Sequence, residues 1–227
     1  MHALPAPLRF DKPVVLLGGG WVDLPLLGEL VNEGVPLIVA DGGANCLADS
    51  DVRPDAIIGD LDSLADASRW RERTRLIQLS EQDTTDLEKC LYSVEAPAFI
   101  GIGFTGNRLD HTLSALHVLL RYAAEKPMVL AAEQDWVFVP RRDVDLVLPV
   151  GSRLSLFPLA PTRVRRSSGL RYPLNGLQLA TGQQIGTSNE VVDSTVQIEF
   201  EPDASPACAV LLPRASCAVP EVLLNVL

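Results

Sequence analysis

Short apolar runs alternate with amphipathic stretches along the first half of the chain. Each run has the length of a buried strand; the runs are Val14–Leu17, Leu37–Ala40, Ala56–Ile58, Leu76–Leu79, Ala98–Ile100 and Met128–Ala131. Between them, Leu87–Val94 and Leu109–Tyr122 show the spacing of amphipathic helices. Strands that alternate with helices predict an α/β domain with a mostly parallel, Rossmann-like sheet that has helices on both faces.

From about Asp135 the pattern changes to short strands separated by proline and glycine. The predicted strands are Trp136–Val139, Asp145–Leu148, Arg153–Leu159, Leu177–Leu179, Glu190–Phe200 and Ala207–Leu212. Because no helical period appears before the last residues, this half is predicted to be an all-β antiparallel sandwich. We expect the boundary near Pro140, with domains over 1–140 and 141–227, and a β-like, peripheral segment after Phe200.

Composition limits the partners. No apolar run approaches the ~20 residues that span a bilayer, and the first residues lack a signal-peptide pattern, so we expect a cytoplasmic protein with no membrane partner. The net charge of -10 argues against nucleic acid, since the one basic cluster is Arg163–Arg171. The four cysteines have no metal-type spacing and are expected to be reduced thiols.

Acidic residues follow four of the predicted strands in the first half. The segments are Asp41–Asn45, Gly59–Ser63, Gln82–Asp86 and Gly101–His111. Since the carboxyl ends of parallel strands meet at one edge of the sheet, we expect these carboxylates to converge there. Gathered carboxylates repel one another unless a cation lies between them, and oxygen ligands suit Mg²⁺ with phosphates. Taken singly, each aspartate could instead be a turn former or a helix N-cap.

Two of these segments have a distinct spacing. Asp60 and Asp62 are two residues apart, so an extended backbone points both side chains the same way; the alternative is an Asx-turn. Thr85-Asp86-Leu87-Glu88 matches a capping box, which places Asp86 in the first helical turn. Lys89 could reach a phosphate or simply be solvated.

The run Gly101–Gly106 matches GxGxxG and opens a helix whose first turn carries Arg108, Asp110 and His111. It follows a late strand, whereas the dinucleotide fingerprint follows the first. A phosphate cradle, a tight turn and a dinucleotide site therefore stay open, in that order of preference. We expect His111 to be structural.

These motifs, taken together and in order, resemble the thiamine pyrophosphokinase family. The resemblance also includes Arg153–Leu159, Gly169–Leu174 and Gly186–Glu190 in the second half, and runs from about Val14 to Phe200. It implies an enzyme that transfers the diphosphate of ATP to the hydroxyl of thiamine, releasing AMP. It further implies Mg²⁺ and a homodimer in which each active site lies between subunits, with thiamine against the β domain.

The resemblance assigns roles to residues at the matching positions. The metal ligands are predicted to be Asp60, Asp62 and Asp86; the catalytic residues Asp110, Arg108 and Asp62; the ATP-binding residues Asp41, Gly42, Gln82, Thr85, Lys89 and Arg108; and the thiamine-binding residues Tyr172, Ser188 and Asn189. Asp110 could orient or deprotonate the hydroxyl, or hold Arg108. Tyr172 stands where the family often has tryptophan, and could instead be a core residue; Ser188-Asn189 could be only a turn.

Three other functions fit parts of this pattern. A related pyrophosphokinase could act on another alcohol, such as a hydroxymethylpterin. A non-catalytic nucleotide sensor could use the same fold, although it would not need Asp60, Asp62, Asp86 and Arg108. A dinucleotide-dependent oxidoreductase would explain only the glycine loop.

Overall fold

The computed structural model describes residues 6–201 and 206–224. Its strands are β1 Leu8–Arg9, β2 Val14–Leu17, β3 Leu37–Ala40, β4 Ala56–Gly59, β5 Arg75–Gln78, β6 Val94–Glu95, β7 Phe99–Ile102, β8 Met128–Ala131, β9 Asp135–Phe138, β10 Val144–Val147, β11 Arg153–Pro158, β12 Thr162–Ser168, β13 Gln178–Leu179, β14 Gly186–Glu190, β15 Thr195–Phe200 and β16 Cys208–Pro213. Its α-helices are α1 Leu24–Asn32, α2 Ala67–Arg71, α3 Asp86–Ser93, α4 Leu109–Tyr122 and α5 Val219–Leu224.

The chain divides into two compact units. The first contains Met1–Val118 and Ala131–Glu133, and the second contains Leu119–Leu130 and Gln134–Leu227. The boundary expected near Pro140 stays a prediction. Within the described residues, no helix combines the length and apolarity that a membrane crossing requires.

The first unit is built on parallel strands in the order β5-β4-β3-β2-β7. The strands β2, β3, β4 and β7 are buried along their whole length, as expected of a sheet covered on both faces. The chain adds β3, β4 and β5 on one side of β2 and then β7 on the other. This change of direction leaves a crevice at the carboxyl ends of β2 and β7.

Three helices of this unit begin at side-chain caps; Asp66 caps α2 by accepting from Arg69 N at 3.0 Å. The predicted capping box is confirmed: the Thr85 hydroxyl accepts from Glu88 N at 3.3 Å, and the Glu88 carboxylate accepts from Thr85 N at 3.1 Å. Asp23 caps α1 through Leu26 N at 2.9 Å. The caps fix where each helix starts, and so fix which residues face the ends of the strands.

The second unit contains antiparallel pairs in two groups, β10-β15-β12-β13 and β14-β11-β16-β9. Buried and exposed residues alternate along β10 and β12, so one face of this sheet is covered. The predicted antiparallel second half is confirmed.

Two predictions about this half were wrong, and one strand was not predicted. The strand predicted over Glu190–Phe200 is two strands, because a turn intervenes in which Thr195 N donates to the Asp193 carboxylate at 3.1 Å. The polar strand β12 was missed, since its alternation uses Thr, Arg and Ser. The segment after Phe200 is not peripheral: β16 pairs with both β11 and β9, and most of its residues are buried.

Candidate active site

A cavity of about 470 Å³ opens at the carboxyl ends of the parallel strands in the first unit. The loops after β2, β3, β4, β5 and β7 all contribute to it. Its lining residues include Gly18, Gly19, Gly20, Gly42, Gly43, Asp60, Ser63, Gln82, Thr84, Thr85, Asp86, Lys89, Gly103, Phe104, Gly106, Asn107, Arg108, His111 and Ser114. The predicted convergence of the strand-end loops is therefore observed.

Two glycine loops meet backbone to backbone at the crevice between β2 and β7. Gly20 N donates to Gly103 O at 2.7 Å, and Gly18 N donates to Ile102 O at 2.8 Å. A Cβ on Gly18 would lie 2.6 Å from Gly103 O, so a side chain there would separate the loops. The close approach leaves a concave surface of main-chain groups, which suits phosphate oxygens.

Three carboxylates meet beside these loops. One oxygen from each of Asp41, Asp60 and Asp62 lies within 4.8 Å of the others. Asp41 is only 1% exposed, and its Oδ1 has no hydrogen-bond partner. Gly59 makes this burial possible, since a Cβ there would lie 2.6 Å from the Asp41 Cβ. A buried carboxylate oxygen without a partner, beside two further carboxylates, has the oxygen donors that a hard divalent cation prefers.

The pKa values of Asp41 and Asp60 are shifted in opposite directions. Burial, followed by a hydrogen bond with Asp60, raises the pKa of Asp41 to about 6. The pKa of Asp60 is lowered to about 2, chiefly by the hydrogen bond from Gln82 Nε2 at 2.9 Å and also by Asp41 and Lys89. Asp41 therefore takes up a proton at a higher pH than an ordinary aspartate, whereas Asp60 stays ionised to a lower pH.

The fourth aspartate of the site, Asp86, contacts a buried lysine that also lies near Asp60. The Lys89 side chain is 2% exposed, and its ammonium nitrogen lies 3.4 Å from Asp86 Oδ1 and 3.9 Å from Asp60 Oδ2. Burial raises the pKa of Asp86, and Lys89 opposes that rise. The solvated alternative for Lys89 is therefore wrong. Of the predicted ligands, Asp60 and Asp62 lie in the three-carboxylate group, whereas Asp86 pairs with Lys89 and Asp41 takes its place in the group.

Sequence reasoning missed the residues that hold the Gln82 loop. The Glu81 carboxylate accepts from Asp83 N at 2.9 Å, from the Thr84 hydroxyl and from the Tyr92 hydroxyl at 2.8 Å. Burial and the bond to Glu81 raise the pKa of Tyr92 to about 12. Ser63 was also missed, although it lies in the motif Gly59–Ser63 and bonds both Asp41 and Asp62. No local spacing signals the contact between Glu81 and Tyr92.

Arg108 and Asp110 form an exposed ion pair at the start of α4. Asp110 accepts from Arg108 Nε at 3.2 Å and from Nη2 at 2.5 Å, and this contact lowers the pKa of Asp110. Of the two roles left open for Asp110, the structure supports the one in which it holds Arg108. His111 lines the cavity.

The predicted thiamine-binding residues lie in the second unit, on β14 and the segment before Pro173. Tyr172 is 60% exposed, so the core interpretation of this residue is wrong. Ser188 is exposed and has a φ of 59°, whereas Asn189 is 4% exposed. Asn189 Oδ1 accepts from Tyr172 N at 3.0 Å.

Asp41→Asn should stabilise the cation-free protein while removing its response to Mg²⁺. The raised pKa means that the folded state favours protonated Asp41, so stability falls as pH rises from about 4 through about 6, by roughly 3 kcal/mol. Asparagine keeps a donor for Asp60 and carries no charge. Thermal melting with EDTA should show the variant above the wild type at pH 8 and equal to it at pH 4.

The matched control is Asp51→Asn, since Asp51 is an exposed aspartate outside the three-carboxylate group. Melting is then repeated with Mg²⁺ and ATP, which should stabilise the wild type and not the Asp41 variant. Equal melting curves of wild type and variant at pH 8 would contradict the prediction that the buried Asp41 charge destabilises the cation-free protein.

A parallel sheet that gathers carboxylates, a buried lysine and glycine loops around one cavity defines an enzyme that transfers phosphate groups from a nucleotide. Two family models match the chain: "Thiamin pyrophosphokinase, catalytic domain" over residues 27–131, and "Thiamin pyrophosphokinase, vitamin B1 binding domain" over residues 141–204. Together they cover more than half of the chain. The chain belongs to the thiamin pyrophosphokinase family and is a diphosphotransferase of the kinase type.

Individual relatives of this chain carry the same family name. Thiamine pyrophosphokinase 1 of Arabidopsis thaliana is 28% identical over 214 residues, which cover 79% of this chain and 80% of the relative. Thiamine pyrophosphokinase of Bacillus subtilis is 28% identical over 83% of this chain and 94% of its own. The structure of thiamin pyrophosphokinase from Candida albicans superposes with a TM-score of 0.75 at 16% identity, over 93% of this chain and 94% of that one, which shows the shared fold.

Proposed function

We propose that this chain transfers the diphosphate group of ATP to the hydroxyl of thiamine, giving thiamine diphosphate and AMP. The observation that carries the proposal is the meeting of Asp41, Asp60 and Asp62 beside the glycine loops, with a buried Asp41 oxygen that lacks a partner. In this proposal the catalytic domain covers 1–140 and is Rossmann-like, with ATP at the switch point of its sheet; the thiamine-binding β-sandwich covers 141–227.

Mg²⁺ fits the carboxylate group of the first unit. Asp60 and Asp62 would hold it together with Asp41, and Asp86 lies next to them across Lys89. When bound, the ion neutralises charge on the phosphate oxygens of ATP. An ion held there would give the buried Asp41 oxygen the partner that it lacks.

The chain's own cations and main-chain donors place the triphosphate. Lys89 offers a fixed, desolvated ammonium, and Arg108 offers a planar fork that Asp110 keeps oriented. Gly42, Gln82 and Thr85 line the same cavity. The thiamine oxygen attacks the β-phosphorus as the bond from this phosphorus to the α,β-bridging oxygen breaks, and AMP leaves. Asp110 is a weak base because Arg108 lowers its pKa. We therefore propose that Asp110 positions Arg108 and does not deprotonate the hydroxyl.

Tyr172→Ala should raise the KM for thiamine by about tenfold and change kcat little, since an exposed aromatic face binds a cationic heterocycle by stacking and cation–π attraction worth about 1 kcal/mol or more. Steady-state kinetics with thiamine varied and ATP saturating measure this. Tyr172→Phe is the control that keeps the face and should bind normally. An unchanged KM for thiamine in the alanine variant would mean that Tyr172 does not contact thiamine.

The reaction itself is tested by incubating the purified protein with ATP, Mg²⁺ and thiamine. AMP and thiamine diphosphate should appear in equal amounts. ADP with thiamine monophosphate would mean single-phosphate transfer, and AMP formed with a hydroxymethylpterin but not with thiamine would favour the related acceptor.

We further propose a cytoplasmic homodimer whose active sites lie between subunits, as the family resemblance implies. Light scattering on the purified chain gives the mass. A monomer that turns over thiamine at the full rate would contradict the shared site.

A further inference from the structure

The segment Gly169–Tyr172 pairs in an antiparallel direction with the end of β14 and the residue that follows it. Arg171 N donates to Glu190 O at 2.8 Å, and Leu170 forms an antiparallel bridge with Val191. The backbone pairing thus fixes the path of the chain up to the residue before Tyr172.

At Tyr172 the side chain of Asn189 takes the place of a paired backbone. Tyr172 N donates to Asn189 Oδ1 at 3.0 Å, and Asn189 Nδ2 donates to Tyr172 O at 2.7 Å. Asn189 Oδ1 also accepts from Glu190 N at 2.9 Å. These bonds use both lone pairs of the amide oxygen and one of its two N–H groups. Since Asn189 is only 4% exposed, little of the amide is left for a ligand.

A bulge in β14 accounts for this arrangement. The register between β11 and β14 shifts between Leu154 and Leu156, and Ser188 has a left-handed φ of 59°. Ser188 N donates to the hydroxyl of the buried Ser155 at 3.0 Å, outside the regular ladder. Bulges commonly redirect a side chain next to a functional site. Here the bulge brings the Asn189 amide against the backbone of Tyr172.

The backbone under the tyrosine ring is held from two directions. Pro173 restricts the residue before it to extended conformations, and Asn189 bonds both the N–H and the C=O of Tyr172. The ring itself is 60% exposed. An exposed aromatic side chain on a fixed backbone loses less conformational entropy when a flat ligand stacks on it.

We propose that Asn189 is a positioning residue for thiamine: it fixes the backbone that presents Tyr172 and does not itself bind the pyrimidine. The inference rests on the proposed function, in which Tyr172 contacts thiamine. It replaces the sequence-based hypothesis of a direct contact from Asn189, and leaves the exposed Ser188 as the polar candidate for that contact.

A double-mutant cycle separates positioning from direct contact. Asn189→Ala should raise the KM for thiamine by about five- to tenfold and leave the KM for ATP within about twofold. Combined with Tyr172→Ala, it should add less than about twofold to the KM of the single Tyr172 variant, because the residue through which it acts is gone. If the two increases multiply, Asn189 contacts thiamine itself and the proposal is overturned. An unchanged KM in Asn189→Ala overturns it as well.

Thr162→Val is the matched control in the same unit. Thr162 is also buried, and its hydroxyl accepts from Ala207 N and donates to Ala160 O, both at 3.1 Å. It should lower the melting temperature without changing the KM for thiamine. Should Asn189→Ala fail to fold, Asn189→Asp serves, since it keeps the acceptor for Tyr172 N but replaces the donor to Tyr172 O with a charged acceptor that repels it; a KM for thiamine equal to the wild type would then overturn the proposal. Wild-type turnover in the same assay tests the proposed function separately.

Discussion

Asp60→Asn should lower kcat by at least ~1,000-fold, which corresponds to about 4 kcal/mol of lost transition-state stabilisation. Asp60 contacts three polar groups of the site: Gln82, Lys89 and the Asp41 carboxyl. Its pKa is lowered to about 2, so it is ionised at neutral pH and offers a full negative charge to a cation. The amide keeps the shape and removes that charge.

Two measurements check the Asp60 prediction. Steady-state turnover gives kcat, and calorimetry gives the affinity for Mg²⁺ with ATP, which should fall in parallel and recover in part at high Mg²⁺. Asp51→Asn, an exposed aspartate of the same unit, should retain full activity. Wild-type kcat in a folded Asp60 variant would remove this residue from the metal site.

Lys89→Met should lower kcat/KM for ATP by at least ~100-fold, about 2.7 kcal/mol. The ammonium is 2% exposed and lies between Asp60 and Asp86, so it is already desolvated and aimed into the cavity. Methionine fills a similar volume with no charge. The phosphates then lose a cation, and the two carboxylates lose a counter-charge.

Activity and stability must be read together for Lys89. Kinetics with ATP varied should show the loss, while thermal melting should shift by only a few degrees, since Asp60 and Asp86 retain access to water. Lys12→Met, an exposed lysine, is the control. A large fall in melting temperature with kcat/KM preserved would mean that Lys89 is a structural counter-ion only.

Much of the first unit could be predicted because its signals are local. The bounds of Val14–Leu17, Leu37–Ala40 and Met128–Ala131 were predicted to the residue, since each is an apolar run between turn or cap residues. The same holds for Leu109–Tyr122, whose periodicity is unbroken. The capping box of Thr85 was also predicted, because its partner lies only three residues away.

The second unit was predicted less well because pairing partners decide its strands. The polar β12 is a strand because β15 and β13 bond to it, and β16 is central because β11 and β9 lie on either side. Neither fact is visible in the residues of the strand itself. Backbone hydrogen bonds to a distant segment outweigh the weak preference of a short polar run.

The amino-acid sequence by itself determined which loops follow parallel strands, and therefore which acidic residues could share one edge of the sheet. Only the tertiary structure decided which of those residues are buried and which groups each of them contacts. It buried Asp41 against Gly59, enclosed Lys89 between two carboxylates and turned the Asn189 amide onto the backbone of Tyr172. Desolvation and close contact arise between segments far apart in the chain, so charge state and hydrogen-bond partner are properties of the packed fold rather than of any local pattern.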